Sequence, residues 1–215
     1  MYNGLMHEGA QLPIIDSAQL AEAEAKLAKL DPVLGELIEL QKPIAYQPRG
    51  DYFFSLCRSI IGQQVSVAAA AAILGRFEAA AKFKPDRVVK LSDADMKSIG
   101  LSRQKTAYIR DLAQHFVEDP EIYKHLDKLD DQAVMDELIK VKGVGLWTAQ
   151  MFLMFTLSRP DVFAAGDVGL QRAMKQLYGW DAVPNEQELI EVAERWRPYR
   201  SVACWHLWRS LHNTA

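Results

Sequence analysis

Two aspartates, a pair of glycines and a set of indoles are the residues whose types and spacing could do chemistry in this 215-residue chain. Asp167 follows Gly166 and precedes an apolar period of Leu170, Met174 and Leu177, which puts its carboxylate at the first turn of a helix. A helix N-terminus favours the charged form of a carboxylate, so a group in this place can face a developing positive charge or take a proton from water. A plain helix cap is the alternative reading, and the two are compatible. Asp161 lies in the same loop but is followed by Val162-Phe163 with no helix start behind it, and it ranks second. In Leu138-Ile139-Lys140-Val141-Lys142-Gly143-Val144-Gly145 the glycines fall between two helical patterns, where a positive φ or a close backbone approach costs little. The amides of Gly145 and its neighbours then open a new helix, whose unpaired donors suit a phosphate, and Lys142 sits beside them. An isolated Gly-x-Gly would be read as a C-cap alone.

The elements that must position these residues are helices. No sustained period-2 alternation appears, and the fold class expected is all-α. "SAQLAEAEAKLAKLDPVLGELIEL" opens with Ser17 as N-cap and breaks at Asp31-Pro32. "DYFFSLCRSIIGQQVSVAAAAAILGRFEAAA" predicts a long helical stretch in which Gly62 marks a bend or close approach, and its Ala68 to Ala72 run lets a neighbour pack closely. "SDADMKSIG" reads as a short capped helix ending at Gly100, and "RQKTAYIRDLAQHFVED" as an amphipathic helix stopped before Pro120. "DDQAVMDELIKVKGVG" ends at the glycine hairpin, and "LWTAQMFLMFTL" is apolar enough to be buried throughout. "SRPDVFAAGD" is a loop, "VGLQRAMKQLYG" a helix closed by Gly179, and the last stretch two helical pieces divided at Pro198. No repeat or flexible linker interrupts them, so residues 1–215 are expected to form one compact helical domain.

An apolar content of 49% supports a sizeable core. No window approaches 18 apolar residues and the first residues lack the pattern of a signal peptide, so a cytoplasmic protein with no membrane contact is expected. Cys57 and Cys204 have no CxxC spacing, which leaves neither a disulfide framework nor a zinc site. The net charge of −3 does not announce a nucleic-acid partner, but its distribution is uneven. Residues 111–137 carry nine acidic and two basic side chains, 140–176 carry five basic (Lys140, Lys142, Arg159, Arg172, Lys175) and two acidic, and 195–209 hold four arginines and no acid.

"LIKVKGVGLWTAQMFLMFTLSRPDVFAAGDVGL" resembles the helix-hairpin-helix, Gly/Pro-rich loop and aspartate of the DNA glycosylase superfamily, and the Trp after Gly-Val-Gly-Leu resembles its alkylation-repair branch, the 3-methyladenine DNA glycosylase II type. "IIGQQVS" and "RWRPYRSVACWHLWR" are similar to two further blocks of that family, and the resemblance spans roughly residues 20–212. It implies two helical subdomains with a DNA-binding cleft between them, residues of about 17–45 and 167–212 in one and about 50–160 in the other. The chain looks too short at its N-terminus for the extra small domain of some members, and Lys142 stands where a proline is common. The resemblance makes Asp167 the catalytic residue, stabilising the oxocarbenium-like sugar and orienting or deprotonating the attacking water. It places Trp147, Trp208 and Met151 in the base pocket, with Met151 at a position that is aromatic in some relatives. Gln64, Lys142, Gly143, Gly145, Thr148 and Arg172 fall to DNA binding, with Lys175, Arg197 and Arg200 also available, although Arg195 to Arg200 could equally pair with the acidic helices. Gln64 is the wedge that fills the gap left by a flipped nucleotide and Gln63 the structural residue; a buried glutamine tying two helices is the alternative for either.

Bifunctional relatives carry a lysine nucleophile at the position of Trp147, so the resemblance implies a monofunctional hydrolase, and two cysteines cannot supply a four-cysteine iron–sulfur cluster. An indole attracts a flat cation, which points to alkylated purines such as 3-methyladenine and 7-methylguanine. Trp180, Trp196, Trp205, Phe152 and Phe155 are read as core filling. No cofactor is expected for catalysis; a structural sodium or potassium ion would rest on the carbonyls of Ile139, Val141 and Val144. The partner expected is double-stranded DNA and the state a monomer, in the cytoplasm (the bacterial nucleoid) or wherever genomic DNA resides. Alternatives that share the motifs are a glycosylase for uracil, deaminated or mismatched bases, and a non-catalytic helix-hairpin-helix DNA-binding module.

Overall fold

The computed structural model describes residues 17–41 and 51–211. All regular elements among them are helical, and none of these helices is long and apolar enough to cross a membrane. The described residues group into two compact units, 51–152 in one and 17–41 with 153–211 in the other. Positions 42–45, expected to extend the N-terminal helices, lie outside the described residues.

In the first unit, α3 (Tyr52–Gly62) packs on α7 (Arg103–Glu118). Phe53 of α3 meets Phe116 of α7 edge to face with ring centroids 5.1 Å apart, and Leu56, Ile60, Ile61, Ile109 and Leu112 are fully buried. Burying each such side chain stabilises the unit by roughly 1.5–3 kcal/mol. The stretch expected to bend at Gly62 instead breaks: α3 stops there and α4 (Val67–Ala81) begins with Ser66 as N-cap, its Oγ accepting from the Ala69 amide. Gly62 does not serve a close approach, since nothing lies within 4 Å of where its Cβ would be. The alanine run is not a packing face either: Ala68, Ala69, Ala71 and Ala72 are exposed, and α4 buries Ile73, Phe77 and Ala81. α6 (Asp93–Ile99) has the expected ends, a Ser92/Asp95 capping box and Gly100 at φ 97°.

In the second unit, α1 (Ser17–Leu30) and α2 (Pro32–Leu40) fold back on one another at Gly35, whose Cβ would lie 2.9 Å from the Ala28 Cα. Ser17 lies within α1 rather than before it. Asp31 caps α2 through the Leu34 amide (3.2 Å) and also accepts from the Tyr178 hydroxyl (2.5 Å) and Trp196 Nε1 (2.9 Å). Burial pushes this carboxyl up; the three hydrogen bonds and Arg195 outweigh it and hold it below the usual value. That cluster ties α2 to α11 (Val168–Tyr178) and to the turn before α13 (Arg200–Ser210). His206, fully buried on α13, bridges Gln41 (2.8 Å) and Glu24 of α1 (3.0 Å).

Candidate active site and nucleic-acid interface

The glycine hairpin joins α9 (Asp131–Ile139) to α10 (Leu146–Phe155), and its two glycines have different jobs. Gly143 has φ 83°, and a Cβ there would come within 2.6 Å of the Tyr108 ring, so both conformation and space require glycine. Gly145 is exposed with nothing within 4 Å of a would-be Cβ. The Val144 amide closes the turn on the Val141 carbonyl (3.1 Å), whereas the amides of Gly143 and Gly145 meet no acceptor among the described residues. The Gly145 amide stands directly before the ten-residue α10, an arrangement whose free donors suit an anion. Lys142 is engaged elsewhere: its Nζ and its amide both donate to Asp111, each at 2.8 Å. Burial pushes the Asp111 carboxyl up, but the Lys142 hydrogen bonds and charge prevail and hold it low, and the same pair raises Lys142.

The turn after α3 is held against this hairpin. Gln63 Nε2 donates to the Gly143 carbonyl (2.9 Å), and Lys105 Nζ caps the end of α3 on the carbonyls of Ile61 (2.7 Å) and Gln63 (2.6 Å). Burial lowers the Lys105 pKa. Gln64, next in the chain, is exposed and has φ 55°, a left-handed conformation costing a non-glycine residue about 1 kcal/mol. It lines a groove of about 550 Å³ with Arg58, Ser59, Gly62, Gln63, Trp147 and Met151. Trp147 is 50% and Leu146 54% exposed, so the first turn of α10 is not buried as its hydropathy suggests. Thr148, one residue on, is 5% exposed, its side chain turned into the unit rather than to solvent.

In the second unit Asp167 is the N-cap of α11. Its Oδ1 accepts from the Leu170 amide and from Trp208 Nε1, both at 2.8 Å. Trp208 is half-buried and its ring lies 5.7 Å from Phe155, which also stacks on Trp205 at 6.3 Å. Phe155 is therefore part of this aromatic cluster and only partly buried, while Phe152, Trp196 and Trp205 are core. Trp180 is not core; it stacks on Tyr178 at 5.0 Å and stays half-exposed. The loop carrying Asp167 is fixed from α13: Ser201 Oγ donates to the Arg159 carbonyl (2.7 Å) and accepts from the Val162 amide (2.9 Å). Asp161 is consumed in that fixing, clamped by Arg200 (Nε–Oδ1 2.8 Å, Nη2–Oδ2 3.1 Å) and Arg197 (2.6 Å).

The basic stretches thus divide. Arg159 is 2% exposed, Arg197 and Arg200 pair with Asp161 and Glu194, and Arg195 approaches Asp31 at 3.8 Å. Arg58 and Arg172 are exposed with no partner among the described residues, and Lys175 shares α11 with Arg172. Sequence reasoning missed Tyr108, Asp111, Lys105 and Gly169. Gly169 left a signal, because a glycine in a helix's first turns lowers helix propensity without an evident reason. A Cβ there would lie 2.9 Å from Asp167 Oδ1 and 3.2–3.3 Å from the Trp208 indole.

A helical fold, a glycine hairpin between two helices in one unit and a capped carboxylate beside aromatic rings in the other are the features to set beside known families. The model of the HhH-GPD superfamily of base excision DNA repair proteins matches residues 57–198, and the chain belongs to that superfamily. A crystal structure of DNA-3-methyladenine glycosidase from Bacillus halodurans superposes with a TM-score of 0.81 at 36% identity, covering 92% of each chain. The Bacillus subtilis protein YfjP is 34% identical over 128 residues, 60% of this chain and 45% of that one, so this chain spans less than half of that relative's length. Schizosaccharomyces pombe 3-methyladenine DNA glycosylase in complex with abasic DNA shares the fold, with a TM-score of 0.75 at 24% identity over 90% of this chain and 98% of that one.

Proposed function

We propose that this protein is a monofunctional DNA glycosylase that hydrolyses the N-glycosidic bond of alkylated purines, 3-methyladenine and 7-methylguanine among them, in duplex DNA, and that it acts as a monomer. The observation that carries the reading is Asp167: a carboxylate fixed by a helix amide and an indole N–H beside half-buried aromatic rings. The Bacillus halodurans glycosidase and the Bacillus subtilis protein, itself described as a DNA-3-methyladenine glycosylase, support the substrate class.

An alkylated purine already carries positive charge, so the bond to C1′ is weak and the enzyme's task is to support the sugar cation. As the C1′–N bond breaks, its electron pair leaves with the base and neutralises it. Asp167 faces the positive charge left on the deoxyribose. A water oxygen then bonds C1′ and its proton passes to the Asp167 carboxylate, which completes hydrolysis without a covalent enzyme intermediate. Trp147 offers no amine for one. Gln64, presented by a strained turn that Lys105 and Gln63 hold rigid, fills the space left in the duplex. The amides of Gly143 and Gly145 take a phosphate oxygen, and Arg172, Lys175 and Arg58 add charge.

We extend the proposal to a sodium or potassium ion at the hairpin: the Val141 carbonyl accepts one hydrogen bond and keeps a lone pair for it. Ile139, Val141 and Val144 would hold it. Its charge would reinforce the grip on phosphate.

The test is release of free bases from methylated duplex DNA by the wild type and by Asp167→Asn, with folding checked by circular dichroism. Release of 3-methyladenine or 7-methylguanine that falls by two or more orders of magnitude in the variant is the expected result. Release unchanged in the variant would remove Asp167 from the mechanism, and no release by folded wild type would remove the substrate class.

A further inference from the structure

Trp208 is expected to line the base pocket, and its polar edge is turned to Asp167, a contact that rests on a glycine nothing else accounts for. The Leu170 amide and Trp208 Nε1 approach the same oxygen, Oδ1, at 2.8 Å each. Two donors on one oxygen fix the plane of the carboxylate and bias negative charge toward that oxygen, which sets how the group meets the sugar. The indole reaches it across Gly169. A methyl group at that position would intrude on both partners at once, 2.9 Å from Oδ1 and 3.3 Å from Nε1, closer than carbon atoms normally approach either. Gly169 has no positive φ among the backbone outliers, so conformation does not demand glycine there. Space for the indole does. Phe155, 5.7 Å from the Trp208 ring, supports the indole from a second side.

We infer that Trp208 is a positioning residue acting through Asp167 by its indole N–H, and that Gly169 is kept bare to admit it. This rests on the glycosylase reading above, and it gives the base-pocket Trp208 a hydrogen-bonding role toward the carboxylate. The two roles separate by substitution. Trp208→Phe keeps an aromatic face and removes the donor; Trp208→Leu removes both.

The experiment measures single-turnover base release from methylated duplex DNA and, separately, the Kd for abasic duplex DNA, with melting temperatures as the control for folding. Trp208→Phe and Trp208→Leu are expected to lose rate equally, by about 10- to 100-fold, the loss of one hydrogen bond to a charged group, while Kd stays within about twofold. Gly169→Ala is expected to lose rate to a similar degree with Trp208 intact. In the Gly169→Ala/Trp208→Phe pair the losses should not multiply, because both remove the same contact. A Trp208→Phe enzyme with the wild-type rate beside an impaired Trp208→Leu would overturn the inference in favour of stacking, and so would full multiplication of the two losses. Absence of release by wild type would instead strike the function itself.

Discussion

Lys142 shows how a single side chain's role is decided by its neighbour. Its charge stands at the hairpin where a phosphate would lie, but Asp111 holds both its ammonium and its amide at 2.8 Å. Any phosphate contact by Lys142 competes with that carboxylate. Asp111→Asn keeps an acceptor for the amide and removes the competing charge. We expect it to tighten binding to abasic duplex DNA and to steepen the dependence of log Kd on log salt by about one, the signature of one added phosphate contact. Weaker binding by the variant would mean that the carboxylate is needed to shape the hairpin. The arginines make the same point: sequence leaves Arg197 and Arg200 open between DNA and internal pairing, and they are spent on Asp161 and Glu194. Only a three-dimensional arrangement decides which carboxylate a long side chain finds.

At the level of elements, the two hairpin glycines separate structure from binding. Gly143→Ala places a Cβ against Tyr108 in a left-handed conformation. It should cost about 2 kcal/mol or more and lower the melting temperature by several degrees. Gly145→Ala has room, so its melting temperature should stay near wild type and any loss should appear in DNA affinity alone. A large thermal shift in Gly145→Ala would contradict this division. Much of this level was legible in sequence, because caps and breakers are local: Asp31-Pro32, the Ser92 to Gly100 helix and the hairpin read as they fold. What was not legible depends on tertiary context. The break after Gly62 contains no proline and turns on Gln64 at φ 55°, a conformation imposed by Lys105 and the hairpin. The exposed Ala68 to Ala72 run and the exposed Trp147 both defeat hydropathy, since composition does not say which face of a helix another element covers. Asp167 was legible as a cap, but its bond to Trp208, 41 positions away, was not.

For the molecule as a whole, the two cysteines carry a consequence for its chemical survival. Cys57 and Cys204 sit one in each unit, fully buried, and desolvation pushes both thiols well above their ordinary value. A thiolate is the form that attacks electrophiles, and neither sulfur adopts it near neutral pH. Iodoacetamide should therefore leave the native protein unlabelled and modify both cysteines once it is denatured; rapid labelling of the folded chain would show otherwise. Methylating agents that damage purines also attack sulfur, so a repair protein meets the same reagents as its substrate. By withholding both thiols from solvent, the fold would leave the alkylpurine glycosylase proposed above unmodified by the reagents that damage its substrate.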